Sequence, residues 1–349
     1  MQVIVSANVV QAVMGTAAVW KLYTLLGYAC TGRHLISFDP PDCLDAWLQT
    51  IDSGASEAYL YAIDLSSREW RDAAHNAATI RIEQNTAISW ADPLAILPLD
   101  DALQVLAEKL GFLLENGEND WHFLLGIMPK SQRERIQNAC DQGWLEPLHG
   151  GGSTIVAQLH ARLKQPHRGL RTAMMFDSDR RHPLELAETW HPNEIIHGPK
   201  KCDAYEWEVL VKEKIPSRYW RLQRRFIESY MPDGQLRLVV DSNKVATLEA
   251  FLRMSPEQRW FYNMKQGFAQ DRKSEKIDDS DIATRIEVGD MRQRDLYRHI
   301  SEQDKIVLES GLGKQLGQHY AQALTNDFEW DQAAIEEAQT HLPNFLRLL

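Results

Sequence analysis

The chain has 349 residues, 44% of them hydrophobic and 25% charged, which allows two or three domains with a sizeable core and excludes disordered, collagen-like and low-complexity classes. Its formal net charge of −11 argues against a polyanionic partner for the surface as a whole. The four cysteines, Cys30, Cys43, Cys140 and Cys202, show no CxxC spacing, so neither a zinc site nor a disulfide framework is expected and a reduced, cytoplasmic setting fits.

The first region, 1–98, alternates short apolar runs with helical stretches, an α/β pattern. Strands are predicted over 2–6, 34–38, 58–63 and 78–82, and helices near 8–26, 41–51 and 66–75. Residues 8–30 are apolar, but Gln11, Lys21, Tyr23 and Tyr28 interrupt them and no basic segment precedes them. A partly buried helix is therefore expected there, not a signal peptide or a membrane span. Asp39 and Asp64 each follow an apolar run, where a helix cap or turn former is the simpler role.

Pro98 punctuates the chain, and Asp100 or Asp101 can cap a helix from Ala102 to about Lys109. Gly111 then ends that helix and Phe112-Leu113-Leu114 forms a strand that closes on Glu115. A helix from Trp121 to Met128 starts behind Asp120 and a further one covers 131–140. Trp144-Leu145 begins a strand running into Gly150-Gly151-Gly152. Ser153 can cap a helix over 155–163, and a strand over 172–176 closes on Asp177 and Asp179. This alternation predicts a parallel sheet with right-handed crossovers.

Beyond Asp179 the chain is irregular as far as Lys200 and Lys201, after which 207–211 reads as a strand and Tyr219 to Tyr230 as a helix or turn. Pro232-Asp233-Gly234 signals a turn. From about 244 the pattern is helical, with a charged loop over 271–281 and the aromatics Trp260, Phe261 and Tyr262 at helical core spacing. The domains expected are thus an N-terminal α/β region, 1–98, an α/β core of Rossmann-like parallel type, 99–240, and a C-terminal helical region, 241–349.

The acids suit a hard cation. In open parallel sheets ligands gather at the carboxyl ends of the strands, where Glu115, Asp177 and Asp179 fall. Mg²⁺ prefers a few carboxylates, several waters and phosphate oxygens, and one or two such ions can activate water against a phosphodiester. Gly151 and Gly152 allow a phosphate close to backbone N–H groups. Lys200, Lys201, Arg224 and Arg225 add positive charge, and residues 160–228 hold 14 Lys/Arg against 10 Asp/Glu, a local excess where a phosphate backbone needs it. His149, His160, His167, His182 and His197 show no paired metal-ligand spacing. The sequence has no GxSxG and no GxxxxGK[ST], so neither a serine hydrolase elbow nor an ATP-binding loop is expected.

Together, Leu113-Leu114-Glu115-Asn116-Gly117-Glu118-Asn119-Asp120, then Asp177-Ser178-Asp179, then Arg224-Arg225-Phe226-Ile227-Glu228-Ser229-Tyr230 resemble the TOPRIM domain of OLD-like antiphage nucleases, whose pattern is hhhEGxxD, DxD and a segment close to RREIENYL. The likeness covers about 110–232 and departs from the pattern by one inserted residue, Asn116, which leaves Glu115 and Glu118 competing for the first place; Glu115 directly follows the strand. The resemblance implies a TOPRIM core and a Mg²⁺- or Mn²⁺-dependent nuclease acting on DNA or RNA. By the same resemblance Glu115, Asp177, Asp179, Glu228 and Asp120 are the metal-site residues, and Arg225 and Lys201 the basic catalytic ones. It further implies a defence effector controlled by a separate ABC-type ATPase or sensor subunit. The alternative is a catalytically silent subunit that binds nucleic acid or a partner.

Overall fold

Two four-stranded parallel sheets organise the chain, and they share one strand order. The computed structural model describes residues 1–72, 79–84, 87–91, 93–151, 154–192, 203–269 and 296–349. The first sheet holds β1 (Gln2–Ser6), β2 (Leu35–Asp39), β3 (Thr79–Ile82) and β4 (Leu94–Leu97) in the order β2-β1-β3-β4. The second holds β5 (Leu110–Leu114), β6 (Leu145–His149), β7 (Thr172–Phe176) and β8 (Tyr219–Arg221) in the order β6-β5-β7-β8. In each, the first two strands are joined by a helical crossover, as parallel pairing requires, and the third pairs on the other side of the first.

The central strands β5 and β7 are buried at every position, the signature of a parallel sheet covered on both faces. Their side chains sort by the period of two. Phe112, Leu114, Ala173 and Met175 enter the main core, whereas Leu113, Met174 and Phe176 meet Ile155, Leu159, Trp207 and Val211 on the opposite face. The helices Thr154–Leu163 and Asp203–Lys214 therefore cover one face. On the other, the helix Gly117–Ile127 packs on the 3₁₀ segment Leu316–Leu324 so closely that a Cβ on Gly126 would lie 2.8 Å from the Ala323 Cβ. The C-terminal helix Gln332–Leu346 joins this face through Phe345, whose ring is 4.7 Å from that of Phe112.

Several expectations are corrected. Residues 58–63 lie within the helix Ser53–Asp72, opened by Asp52, whose Oδ1 accepts from the N–H groups of Gly54 and Ala55. A continuous apolar run suits a strand, but Leu60, Tyr61 and Leu65 are exposed while Ala62 and Ser66 are buried, an i, i+4 stripe. Residues 207–211 are likewise helical, with Ala204, Trp207, Glu208 and Val211 buried at i, i+3, i+4, i+7. The fourth strand falls instead at Tyr219–Arg221, and β4 had no clear signal. Gly111 sits inside β5, and Asp233-Gly234 start a helix, Asp233–Val239, behind Pro232. The N-terminal helix breaks at Gly15, φ 71°, into Ala7–Val13 and Trp20–Cys30. The loop 271–281 lies outside the described residues, and Phe261 and Tyr262 are core, as expected. No helix among the described residues is long and apolar enough to cross a membrane.

One buried carboxylate ties the second sheet to the C-terminal helix. Glu337, 5% exposed, accepts from Trp220 Nε1 (2.9 Å), the Tyr230 hydroxyl (2.7 Å) and the Gln223 N–H (2.8 Å). Glu337→Ala leaves two buried donors, Trp220 Nε1 and the Tyr230 hydroxyl, without this acceptor, while the Gln223 N–H keeps the Tyr230 oxygen at 3.1 Å; it is expected to cost about 3 kcal/mol in denaturant unfolding, with Glu337→Gln costing less because an acceptor remains. Equal losses in the two variants would show that charge, not donor satisfaction, matters there.

Candidate functional site

The chain leaves β5 and β7 at the same edge of the sheet, because the strands are parallel neighbours with Leu114 opposite Met175. Glu115 is the first residue beyond β5 and Asp177 the first beyond β7, so the two carboxylates meet although the sequence separates them widely. A cavity of about 300 Å³ opens there, lined by Glu115, Asn116, Asp120, His149, Gly151, Asp177, Ile227 and Lys265.

Backbone hydrogen bonds fix the acids. The Asp177 N–H points to Glu115 Oε2 at 3.4 Å, and Asp177 Oδ1 accepts from the Ile227 N–H at 2.9 Å. Asp120 lies in the first turn of the helix Gly117–Ile127, where its Oδ2 accepts the Asn116 N–H at 2.7 Å. This is the favoured place for a carboxylate, at the positive end of the helix dipole. His149, the last residue of β6, accepts the Gly117 N–H on Nδ1 at 2.8 Å. Only glycine fits at 117, since a Cβ would lie 2.9 Å from that of His149. Asp179 has φ 55°, the one non-glycine residue with positive φ among the described residues, a conformation that Asp tolerates better than most. Its N–H bonds to the Arg225 carbonyl at 3.2 Å, and the Ser178 hydroxyl to the Arg224 carbonyl at 2.9 Å, so the Asp-Ser-Asp loop is sewn to the segment 224–230. Tyr320 closes that segment from behind by donating its hydroxyl to the Ile227 carbonyl.

Negative charge is in excess. Burial, then the charges of Asp179 and Asp120, raise the Glu115 carboxyl from 4.5 to about 8. Burial raises Asp120 from 3.8 to about 7 against the N–H donation of Asn116, with the charge of Glu228 adding to the rise. Asp177 is pushed well above its ordinary range by burial, opposed by Lys265 and reinforced by Glu115. Asp179 is also raised by burial, with Arg225 the main opposing charge. Lys265 stands among these acids with Nζ 3.3 Å from Glu228 and 3.7 Å from Asp177. Burial works against its charge, but Asp177, Glu228 and Glu115 prevail and hold its ammonium above its usual value.

The donor set fits a hard divalent cation. All the excess groups are carboxylate oxygens, and Glu228 Oε2 is buried with no hydrogen bond of standard geometry. Among the described residues no three His, Cys, Asp or Glu side chains form a ready-made metal cage. Mg²⁺ in general keeps several waters and takes one or two carboxylates beside substrate oxygens.

Of the residues singled out in the sequence, Glu115, Asp120, Asp177 and Gly151 line the cavity, and Asp179, Glu228 and Arg225 adjoin it. Glu118 is exposed on the helix and is not among the lining residues. Arg224 turns the other way. It is 3% exposed, bonded to Asp331 and the Ser229 carbonyl, and lies between the rings of Tyr230 (4.4 Å) and Trp260 (4.8 Å). Its charge thus holds the fold and is not presented for phosphates. Lys200, Lys201 and Gly152 lie outside the described residues. Asp39 pairs with Arg81 and Asp64 with Arg68, both away from the cavity. Sequence reasoning missed Lys265 and His149; for His149 the signal was its place just before the glycine run. Lys265 sits in an ordinary helical pattern, and only the tertiary fold brings it to the acids.

No family model, curated protein or solved structure matches the chain.

The raised carboxyls set a pH dependence of stability. A carboxyl with a folded value above its unfolded one favours the folded state while protonated, so this contribution is lost as pH rises through the interval. For Glu115 that interval runs from 4.5 to about 8. Without divalent cations, the melting temperature of the wild type is expected to fall relative to Glu115→Gln as pH rises from about 4.5 to about 8. Excess Mg²⁺ is expected to restore it at the alkaline end. Parallel profiles for the two proteins would contradict the charge excess.

Proposed function

We propose that the carboxyl edge of the second sheet is a divalent-cation-dependent phosphodiester-cleaving site in a TOPRIM-like domain, and that the chain is a nuclease acting on DNA or RNA. The observation that carries this reading is the meeting of Glu115, Asp120 and Asp177 in one cavity that Asp179 and Glu228 adjoin. A bound Mg²⁺ or Mn²⁺ supplies Lewis-acid activation of water and charge stabilisation at the phosphate.

The chain's own residues divide the remaining work. Glu115 and Asp177 hold the cation from neighbouring strands, with Asp177 aimed by the Ile227 N–H. Asp120 and Asp179 flank them. Lys265 places positive charge where a phosphoryl oxygen gathers negative charge, and Arg225 balances Asp179. Gly151, with φ 44° in the cavity wall, allows a phosphate close to the backbone. A cytoplasmic antiphage effector under a separate ATPase or sensor subunit is the wider reading; it rests on the motif resemblance and on the absence of an ATP-binding loop in the sequence.

One observation favours a second reading. Lys265 already lies between Asp177 and Glu228, and an internal ammonium can stand in for a metal ion. On that reading the chain is a catalytically silent subunit that binds nucleic acid or a partner.

Incubation of the protein with plasmid and total RNA in Mg²⁺ or Mn²⁺ separates the two. Cleavage is expected, abolished by EDTA and reduced at least about 100-fold in Glu115→Gln and Asp179→Asn, with unfolding midpoints no lower than wild type. Cleavage that survives EDTA or both substitutions would remove the metal-dependent reading. Salt-sensitive nucleic-acid binding without cleavage under any metal would establish the silent one.

A further inference from the structure

Part of the acid cavity's lining carries no carboxylate and no cation. Asn116, His149 and Gly151 supply it, whereas Glu115, Asp120, Asp177 and Lys265 line the rest beside Ile227. Three contacts hold His149 in place. Its carbonyl accepts from Gln158 Nε2 at 2.6 Å, and the N–H of the next residue, Gly150, continues the pairing with β5 by donating to the Leu114 carbonyl at 2.7 Å. The third contact fixes the ring, whose Nδ1 accepts the Gly117 N–H at 2.8 Å. The Gly117 backbone also lies against the imidazole, since a Cβ there would be 3.0 Å from Cγ and from Nδ1.

An N–H can only donate, so the Gly117 bond requires a lone pair on Nδ1 and leaves the ring proton on Nε2. Nε2 is on the edge toward Gly151, 3.7 Å from where a Cβ on that glycine would stand, and makes no hydrogen bond among the described residues. The Gly151 N–H is likewise without an acceptor among them. Two uncharged donors with no internal task thus stand together in the cavity wall. With its proton on Nε2 the ring offers the cavity no lone pair, which places His149 outside the metal-binding set. A cation here would be drawn to the acids, as Lys265 is to Glu228 and Asp177; a neutral donor stays available. We infer that the His149 Nε2–H, with the Gly151 N–H beside it, receives a non-bridging oxygen of the substrate phosphate at the β6 end of the sheet edge. The inference rests on the phosphodiester reading of that edge and adds the residue that orients the phosphate. A phosphate held by a cation alone can turn about the metal–oxygen direction, and a second, fixed donor removes that freedom.

The test compares full-length wild type with His149→Gln and His149→Asn, whose amides reach the places of Nε2 and Nδ1 respectively. Gln keeps a donor toward the cavity, while Asn keeps only an acceptor for Gly117. A short fluorescein-labelled strand, as DNA and as RNA, is followed by anisotropy with Ca²⁺ and by initial cleavage rates with Mg²⁺. His149→Asn is expected to weaken binding and raise KM at least about tenfold, the loss of one hydrogen bond to a charged oxygen, with kcat changed less. His149→Gln is expected to stay within about threefold of wild type. Nitrogen NMR of the wild-type imidazoles is expected to show the His149 proton on Nε2, with a signal that the strand shifts, and this readout survives the unfolding of either variant. The reverse order, with Asn like wild type and Gln impaired, would reduce His149 to a support for the Gly117 loop. Equal losses in both variants, no loss in either, or a proton on Nδ1 would also overturn the inference. Cleavage that neither substitution touches would remove the inference and leave the nuclease reading. Binding that follows the Nε2 donor in a protein that cleaves nothing would leave His149 as a phosphate ligand and remove the nuclease reading. Absence of both binding and cleavage would remove both.

Discussion

Buried carboxylates repel one another, and the second half of this molecule is built around holding several of them together. Glu115, Asp120, Asp177 and Asp179 gather beside the buried Glu228 where water is scarce, and burial favours the neutral forms of the first four. Three things offset the repulsion. Lys265 supplies one full charge, Arg225 another, and N–H groups of Asn116, Ile227 and Asp177 supply fixed dipoles. The offset is incomplete, because Glu115 and Asp120 are still held above their ordinary values. On the proposed reading, the remaining excess is a place reserved for a divalent cation.

That reservation depends on rigid surroundings. The acids leave strands buried on both faces, so their starting points cannot relax apart. The segment 226–230, which carries Ile227 and Glu228, is clamped from two sides. Tyr320 holds the Ile227 carbonyl from the 3₁₀ segment, and Glu337 holds the Tyr230 hydroxyl from the C-terminal helix. Gly317 lets that 3₁₀ segment approach, for a Cβ there would lie 3.2 Å from Glu228 Oε1. The C-terminal region is therefore part of the site's frame, and Lys265 within it is part of the site itself. Arg224, which looks in the sequence like a phosphate ligand, is one of the clamps, lying between Tyr230 and Trp260.

The elements legible in the sequence were those with strong local signals. β5 and β7 read correctly because each is a short apolar run, and β6 from Trp144-Leu145 ahead of the glycine run; the strand ends then placed Glu115 and Asp177 on one edge. The helix Ser53–Asp72 and the helix Asp203–Lys214 read as strands in part, since aromatic and β-branched residues suit a pleated surface and burial only later decides which period applies. Lys265 was illegible for another reason. Its role comes from a contact that no local pattern encodes, made from the C-terminal region, whereas His149 carried only the weak signal of preceding the glycine run.

The first sheet sharpens what the second one does. Its strand order is the same, and it too brings acids to the carboxyl ends, with Asp39 just inside the end of β2 and Glu83 just past β3. There, however, Arg81 on β3 lies between them, 2.9 Å from Asp39 and 2.5 Å from Glu83. The acids outnumber the base only two to one and remain partly exposed, so solvent and a single guanidinium face their charge. In the second sheet the acids are more numerous and more deeply buried, and neither water nor Lys265 and Arg225 together neutralise them. One topology thus yields an internally satisfied edge in the first sheet and an edge short of positive charge in the second. The difference lies in side chains at strand ends, not in the path of the backbone.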